Sequence, residues 1–285
     1  MIRIWSWNIG QRPAAWRTIA DDKSVDVVLL QEATPPPPDV ELDGLNFVPP
    51  VTSRWETTGL TRQFRTAIAW RSQRIDADER PLGCIGDGDG ALCVSRPGTL
   101  TALDVRLPDG LVTLISAYSL WERPCSGKQR SIYADASAHR IISDISALID
   151  SRNHRIIVAG DFNIFHGYGD GGSEYWKARY ATVFSRFDAL GFAFVGPQGS
   201  EDQRQASPAP PELPRDSKNV PTFYTNMQKP ETAAHQLDFV WASRSIADRV
   251  RVRAINVVAE WGPSDHCRIE ILIDAGRLPT VSVNE

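Results

Sequence analysis

Residues 156–165 read Ile156-Ile157-Val158-Ala159-Gly160-Asp161-Phe162-Asn163-Ile164-Phe165. A short apolar run rich in β-branched residues predicts a buried strand over Ile156–Ala159, and Gly160 is expected to end it where Asp161 and Asn163 emerge. Two readings of Gly-Asp-x-Asn stand side by side here: a turn whose side chains bond their own backbone, or a polar pair delivered to the lip of a sheet. Four other strand ends favour the second. Ile4-Trp5-Ser6-Trp7-Asn8 ends in an amide and Val27-Val28-Leu29-Leu30-Gln31-Glu32 in an acid. Leu237-Asp238-Phe239-Val240-Trp241 carries an acid near its start, and Ser264-Asp265-His266 introduces the apolar strand Cys267–Ile273. If these ends meet, four carboxylates, two amides and one imidazole share one site. Like carboxylates within a few ångströms cannot all stay ionised without a cation, and oxygen ligands of this kind suit Mg²⁺ or Mn²⁺.

In this order, Trp7-Asn8, Leu30-Gln31-Glu32, Gly160-Asp161-Phe162-Asn163, Leu237-Asp238-Phe239-Val240 and Ser264-Asp265-His266 resemble the endonuclease/exonuclease/phosphatase superfamily of metal-dependent phosphoesterases. The matching motifs run from residue 8 to residue 266. Any one of them recurs by chance; five in order are specific for the superfamily and unspecific for a branch within it. The resemblance implies an α/β fold, a four-layer α/β/β/α sandwich with two mixed β-sheets packed face to face and helices outside. It implies a metal site at Glu32, Asn8 and Asp265, with Glu32 a direct ligand. It also implies Asp161 as the group that orients and deprotonates the attacking water. Asn163 would hold that water or a phosphate oxygen, and His266, oriented by Asp238, would donate to a non-bridging oxygen. The sequence leaves open whether His266 or Asp161 is the base, and whether one or two ions bind.

Tyr118 is the branch point. The strand Leu111–Tyr118 ends in Ser116-Ala117-Tyr118-Ser119-Leu120-Trp121. DNase- and sphingomyelinase-like members usually carry a histidine here, whereas exonuclease III-like members carry a tyrosine whose hydroxyl reaches the scissile phosphate. Tyr118 therefore favours the exonuclease III-like branch. One departure weighs against a classical abasic-site role: Gln31-Glu32-Ala33-Thr34 stands where such enzymes continue Gln-Glu-Thr-Lys; separately, Gln236 stands where the common family form has an arginine two residues before Asp238, which is retained.

A chain of 285 residues, 42% hydrophobic, can bury a sizeable core as a single domain over 1–285. The formal net charge of −4 does not advertise a nucleic-acid binder, although a bound metal would offset part of it. No run approaches the roughly 18–20 apolar residues that span a bilayer, and residues 2–8 lack the form of a signal peptide. A cytoplasmic monomer without membrane insertion or an obligate protein partner is expected. Cys84, Cys93, Cys125 and Cys267 lack metal-site spacing and read as free thiols, a Cys84–Cys93 bridge being the alternative.

Along the chain, Arg12–Lys23, Gln129–Ser151 and Glu174–Leu190 predict helices, Pro13 being tolerated in a first turn. Arg65–Arg71, Gly98–Leu107, Thr222–Tyr224, His235–Trp241 and Val250–Val258 predict strands. The four prolines of residues 35–38 predict a stiff connector. Gly86-Asp87-Gly88-Asp89-Gly90 lacks the twelfth-position Glu of a calcium loop and reads as a turn. Gly196–Pro221 spans 26 residues with six prolines and no periodicity, so it is either a substrate-edge loop, with Arg204, Arg215 and Lys218 supplying positive charge, or a solvated one. Trp121 and Arg215 are the further candidate substrate contacts, beside Asn163 and Tyr118. His166 reads as a substrate contact or a loop-stabilising residue. The expected activity is a metal-dependent nuclease acting on DNA or RNA; the alternative is a phosphatase or phosphodiesterase acting on a small-molecule or lipid-headgroup phosphate.

Overall fold

The computed structural model describes residues 1–42, 44–50, 55, 63–84, 92–122, 133–149, 151, 153–199 and 203–276. The opening is a β-helix-β unit. Strand β1 (Ile2–Asn8) is buried along nearly its whole length, helix α1 (Pro13–Asp21) begins on Pro13, and β2 (Val27–Ala33) returns parallel to β1 with Gln31 opposite Asn8. Proline suits the first helical position because its missing N–H would have no partner there. Two neighbouring strand ends thus reach one edge together.

The first sheet is completed by β3 (Asn46–Val48), β4 (Arg65–Trp70), β13 (Val250–Ile255) and β14 (Arg268–Ile273), in the order β13-β14-β1-β2-β4-β3. The second sheet holds β5 (Ala77–Arg80), β8 (Leu100–Leu107), β9 (Gly110–Tyr118), β10 (Ile156–Asp161), β11 (Phe192–Gly196) and β12 (Asp238–Ser243), in the order β11-β12-β10-β9-β8-β5. The short strands β6 (Leu82–Cys84) and β7 (Leu92–Val94) form a small parallel pair of their own. Both large sheets mix parallel and antiparallel neighbours.

Three apolar layers follow. Between the sheets, Ile4, Leu29, Ile68 and Ile271 pack with Leu103, Leu114, Ile157 and Val240. On the outer face of the first sheet, Trp16 and Ile19 of α1 cover Trp5, Trp7 and Val28. On the outer face of the second, α2 (Ala134–Ser146) and α3 (Glu174–Ala189) lay Ile141, Ile142, Val183 and Phe187 over Ile115, Val158 and Trp241. Helix, sheet, sheet, helices: the expected four-layer sandwich is the observed one.

Several predicted boundaries move. Gly160 does not end β10 but lies inside it, paired with Ala117 of β9. A Cβ on Gly160 would stand 1.8 Å from the Ala117 carbonyl oxygen, so the glycine is needed for close strand approach, not for a turn. Helix α2 is shorter than 129–151, starting at Ala134 and closing with Ala147, while 123–132 lie outside the described residues. Residues 222–224 contribute only isolated bridges, from Phe223 to His235 and to His266. β13 stops at Ile255, short of Val258, because a 3-10 turn follows at Val258–Glu260. The Gly86–Gly90 turn, Cys125 and the side chains of Cys84 and Cys93 lie outside the described residues; Cys267 is a buried free thiol. Among the described residues, no helix is long and apolar enough to cross a membrane.

Candidate active site

The strand registers carry the predicted residues to one edge between the sheets. In the second sheet Asp161 pairs with Tyr118 on one side and Asp238 on the other, so three side chains of the site share one row across three strands. In the first sheet Asn8 and Gln31 form the corresponding row. Gln31 Nε2 donates to Ser116 Oγ at 2.9 Å across the core, tying the two sheets together just behind the edge.

Glu32 follows Gln31, and its aim depends on an irregularity. The β2–β4 register shifts between Leu30 and Ala33, and Glu32 sits at φ 46°, a left-handed conformation uncommon for a glutamate. Such a bulge re-aims a side chain out of the regular alternation. Its carboxylate oxygen accepts from the Tyr118 hydroxyl at 2.7 Å and from Asn8 Nδ2 at 3.3 Å. The same Asn8 nitrogen donates to Asp161 Oδ2 at 2.9 Å, while Asn8 Oδ1 accepts from Gly10 N. Asn8 therefore turns its nitrogen toward the acids and spaces them, and its oxygen holds the following turn.

Asn163 also adopts a left-handed backbone, φ 51°, which asparagine tolerates. Its Nδ2 donates to Asp161 Oδ2 at 3.2 Å and to the Ser119 carbonyl at 3.0 Å, and its backbone N–H donates to Asp161 Oδ1. His266 Nδ1 lies 2.8 Å from Asp238 Oδ2, and Nε2 points toward Asp161 Oδ2 at 3.8 Å. Asp161, Asp238 and His266 are all buried.

Electrostatics follow from that burial. Desolvation pushes the Asp161 carboxyl pKa up, and the neighbouring Asp238 and Glu32 carboxylates add to it against His266 and Asn8. Burial alone would lower the His266 pKa, but Asp238 and Asp161 reverse the sign and hold the ring as an imidazolium. Nδ1 then donates to Asp238, leaving the Nε2–H directed into the site.

Two residues that the motif pattern did not single out support this set. Ser264 Oγ donates to the Asn8 carbonyl at 2.7 Å, lies 3.2 Å from Asp265 Oδ1 and accepts from His266 N, so one hydroxyl positions both ends of the chain. Thr222 Oγ1 accepts from the backbone of Leu237 and Asp238 at 3.0 and 3.3 Å. Ser264 stands inside a quoted motif and was findable; nothing local marks Thr222.

Asp265, Asn163 and Trp121 line a common cavity of about 780 Å³ beside the carboxylates, and Trp121 is 55% exposed there. Arg215 is not brought to this cluster. With Lys218 it lines a different cavity, formed wholly by residues 199–219. Arg204 is no substrate cation either: its guanidinium donates to the carbonyls of Asn256, Glu231 and Pro230 and lies over the Trp261 ring, which makes it a brace for the 196–221 loop. Gln236 is a second brace, accepting from Val220 N and donating to the Pro197 carbonyl. His166 is a third, exchanging hydrogen bonds with Asn219.

The donor set fits a hard divalent cation. Glu32 is held at the edge by two donors, and burial with the Asp238 and Glu32 carboxylates raises the proton affinity of Asp161. Among the described residues no group of three or more His, Cys, Asp or Glu side chains is placed to hold a metal ion.

Fold and site together define a class: an α/β/β/α sandwich with an acid, amide and imidazole cluster at the shared edge of its sheets. Residues 5–266 match the model of the Endonuclease/Exonuclease/phosphatase family, and the chain belongs to that family, whose members are hydrolases acting on phosphoesters. A search of curated proteins by sequence gave no match. Among solved structures, the chain is similar to the AP endonuclease LMAP from Leishmania major, with 16% identity over 95% of this chain and 87% of that one and a TM-score of 0.64. It is also similar to the APE2 catalytic domain of Xenopus laevis, at 16% identity, 95% and 91% coverage and a TM-score of 0.63. A third likeness is to the 3′-5′ exonuclease NExo of Neisseria meningitidis, at 16% identity, 96% and 100% coverage and a TM-score of 0.58.

Proposed function

We propose that this protein is a divalent-metal-dependent nuclease that hydrolyses phosphodiester bonds in DNA or RNA. The observation that carries the reading is the hydrogen-bonded run Tyr118–Glu32–Asn8–Asp161–Asn163, facing the Asp238–His266 pair across Asp161. Asp161, with its raised pKa, is suited to accept a proton from the attacking water, because a general base works best when its pKa approaches the operating pH. Asn163 fixes the Asp161 carboxylate from one side and lines the cavity in which the water or a phosphate oxygen would sit. His266, kept charged by Asp238, donates from Nε2 to a non-bridging phosphate oxygen as charge builds there. Tyr118, already directed at Glu32, lies beside the same phosphate position. Mg²⁺ or Mn²⁺, held chiefly by Glu32 with Asp265 at hand, would polarise the phosphate and stabilise the leaving alkoxide. Asn8 serves that site by fixing Glu32 rather than by lending its own oxygen.

The exonuclease and the AP endonuclease among the similar structures support a nucleic-acid substrate. The net charge of −4 favours the second reading, a small phosphate ester. Purified protein incubated with Mg²⁺ or Mn²⁺ and plasmid, single-stranded DNA, RNA or a generic phosphate monoester separates the two. Metal-dependent cleavage of nucleic acid is expected, and Asp161→Asn and His266→Ala are expected to lower kcat by about 10²–10⁴-fold each with folding intact. Turnover of the monoester alone selects the phosphatase, and near-normal turnover in both variants rejects the site.

A further inference from the structure

The cavity of about 780 Å³ that opens from Asn163 and Asp265 falls in the range of a small-molecule site. Its walls are aromatic: Trp121, Phe165, Trp176, Tyr180 and Phe223. These rings are buttressed from behind. Trp176 stacks on Tyr180 at 5.9 Å and 26°, and Phe165 stacks on Tyr168 at 4.6 Å and 9° and on His235 at 5.1 Å. Tyr168 and His235 are themselves joined through the Tyr168 hydroxyl and His235 Nδ1, 3.2 Å apart. The walls are thus held in place by other aromatic groups rather than collapsing into the space.

Its polar groups are Asn163, Asp170, Thr225, Asn226, His235 and Asp265. Asp170, whose carboxylate accepts from the Tyr180 hydroxyl, and Asn226 offer acceptors, and among the described residues no lysine or arginine lines the cavity. This lining offers flat aromatic faces on which a nucleobase stacks, a contact that an abasic residue lacks. It suits a planar ring with hydrogen-bonding groups at its edge. We infer that this pocket receives an intact nucleobase of the nucleotide next to the scissile phosphate, so that cleavage beside a base is preferred over cleavage beside an abasic residue. The inference rests on the nuclease reading for its catalytic half and on the cavity alone for its binding half.

Two measurements test it. In the first, single-stranded oligonucleotides differing only in whether the nucleotide flanking the cut carries a base or a tetrahydrofuran abasic residue are compared for kcat/KM with Mg²⁺. The intact substrate is expected to be cut about tenfold or more faster, the scale of one base–aromatic stack. Trp176→Ala and the 55%-exposed Trp121→Ala, which cannot disturb the core, are expected to narrow that ratio. In the second, intrinsic tryptophan fluorescence is titrated in EDTA with adenosine 5′-monophosphate and with ribose 5-phosphate. Quenching by the nucleotide alone is expected, weakened in both variants. Equal or faster cleavage beside the abasic residue, or no discrimination between the two ligands, overturns the inference. Base-dependent quenching in a protein that cuts no nucleic acid would instead sink the nuclease reading and leave the pocket assignment standing.

Discussion

Gly160→Ala is the smallest change that should damage both the fold and the site. The added Cβ would lie 1.8 Å from the Ala117 carbonyl oxygen and 2.8 Å from its carbon, whereas real contacts stay above 3.0 Å. Backbone cannot swing aside as a flexible side chain would, so β9 and β10 must part by at least about 1.2 Å at this pair. Overpacking of that kind costs roughly 1–3 kcal/mol. For a domain of this size that corresponds to a fall in Tm of roughly 2–12 °C. The next pair along the same ladder is Tyr118 with Asp161, so the parting also separates the Tyr118–Glu32 contact from Asp161. A displacement of about 1 Å at a reacting centre can cost ~10²-fold in rate. Scanning calorimetry and kcat/KM on the best oligonucleotide substrate read the two effects independently. Gly160→Ala with wild-type Tm and wild-type kcat/KM would refute both the strand geometry and the claim that this ladder holds the site.

Asp238→Asn leaves the shape of the site intact but removes the carboxylate opposing His266 desolvation, so kcat should fall by about 10²–10⁴-fold in a variant that a melting curve shows to be folded. Arg204→Ala strips donors from three carbonyls that brace the 196–221 loop and should cost roughly 1–3 kcal/mol; proteolysis should then cut that loop first. Glu270→Gln tests an ion-pair cluster remote from chemistry. Burial raises the Glu270 pKa, but hydrogen bonds from Arg253 and Arg3 outweigh it and leave the native value below the ordinary 4.5. A depressed carboxylate pKa stabilises the fold fully above the unfolded value and loses that contribution as pH falls through the native one. The variant should therefore melt below the wild type at pH 7, with the gap closing below about pH 4.5, as thermal melts across pH 3–7 would read.

Much of this architecture was legible because the burial of the sheets is written as apolar runs. Val27–Leu30 and Ile156–Ala159 are continuous hydrophobic runs, which a strand covered on both faces requires, and Ile4, Trp5 and Trp7 mark the first strand. The elements that escaped carry no such mark. Ala77–Arg80 reads Ala-Asp-Glu-Arg and becomes a strand only by pairing with β8, where Arg80 meets the Asp104 carboxylate at 3.0 Å. Asn46–Val48 is three residues long and is drawn out by β4. Cations mislead for a related reason. Charge alone does not distinguish Arg204, spent on carbonyls, from an arginine facing a ligand, because the carbonyls come from residues 230, 231 and 256.

The site divides along the same line. Tyr118, Asp161 and Asp238 fall into place through regular ladders, so their positions in sequence translate directly into a row across adjacent strands. Glu32 does not. Plain alternation after Gln31 would send it to the opposite face, since successive side chains of a strand point to opposite sides. What brings it back is the slip in pairing with β4 and the left-handed φ of 46°. That conformation is costly for a glutamate and persists because Tyr118 and Asn8, from two other strands, both bond its carboxylate. The residue proposed to hold the metal is thus the one whose orientation no local signal encodes: its aim is a property of three strands at once, and strain at that point is where function and fold compete.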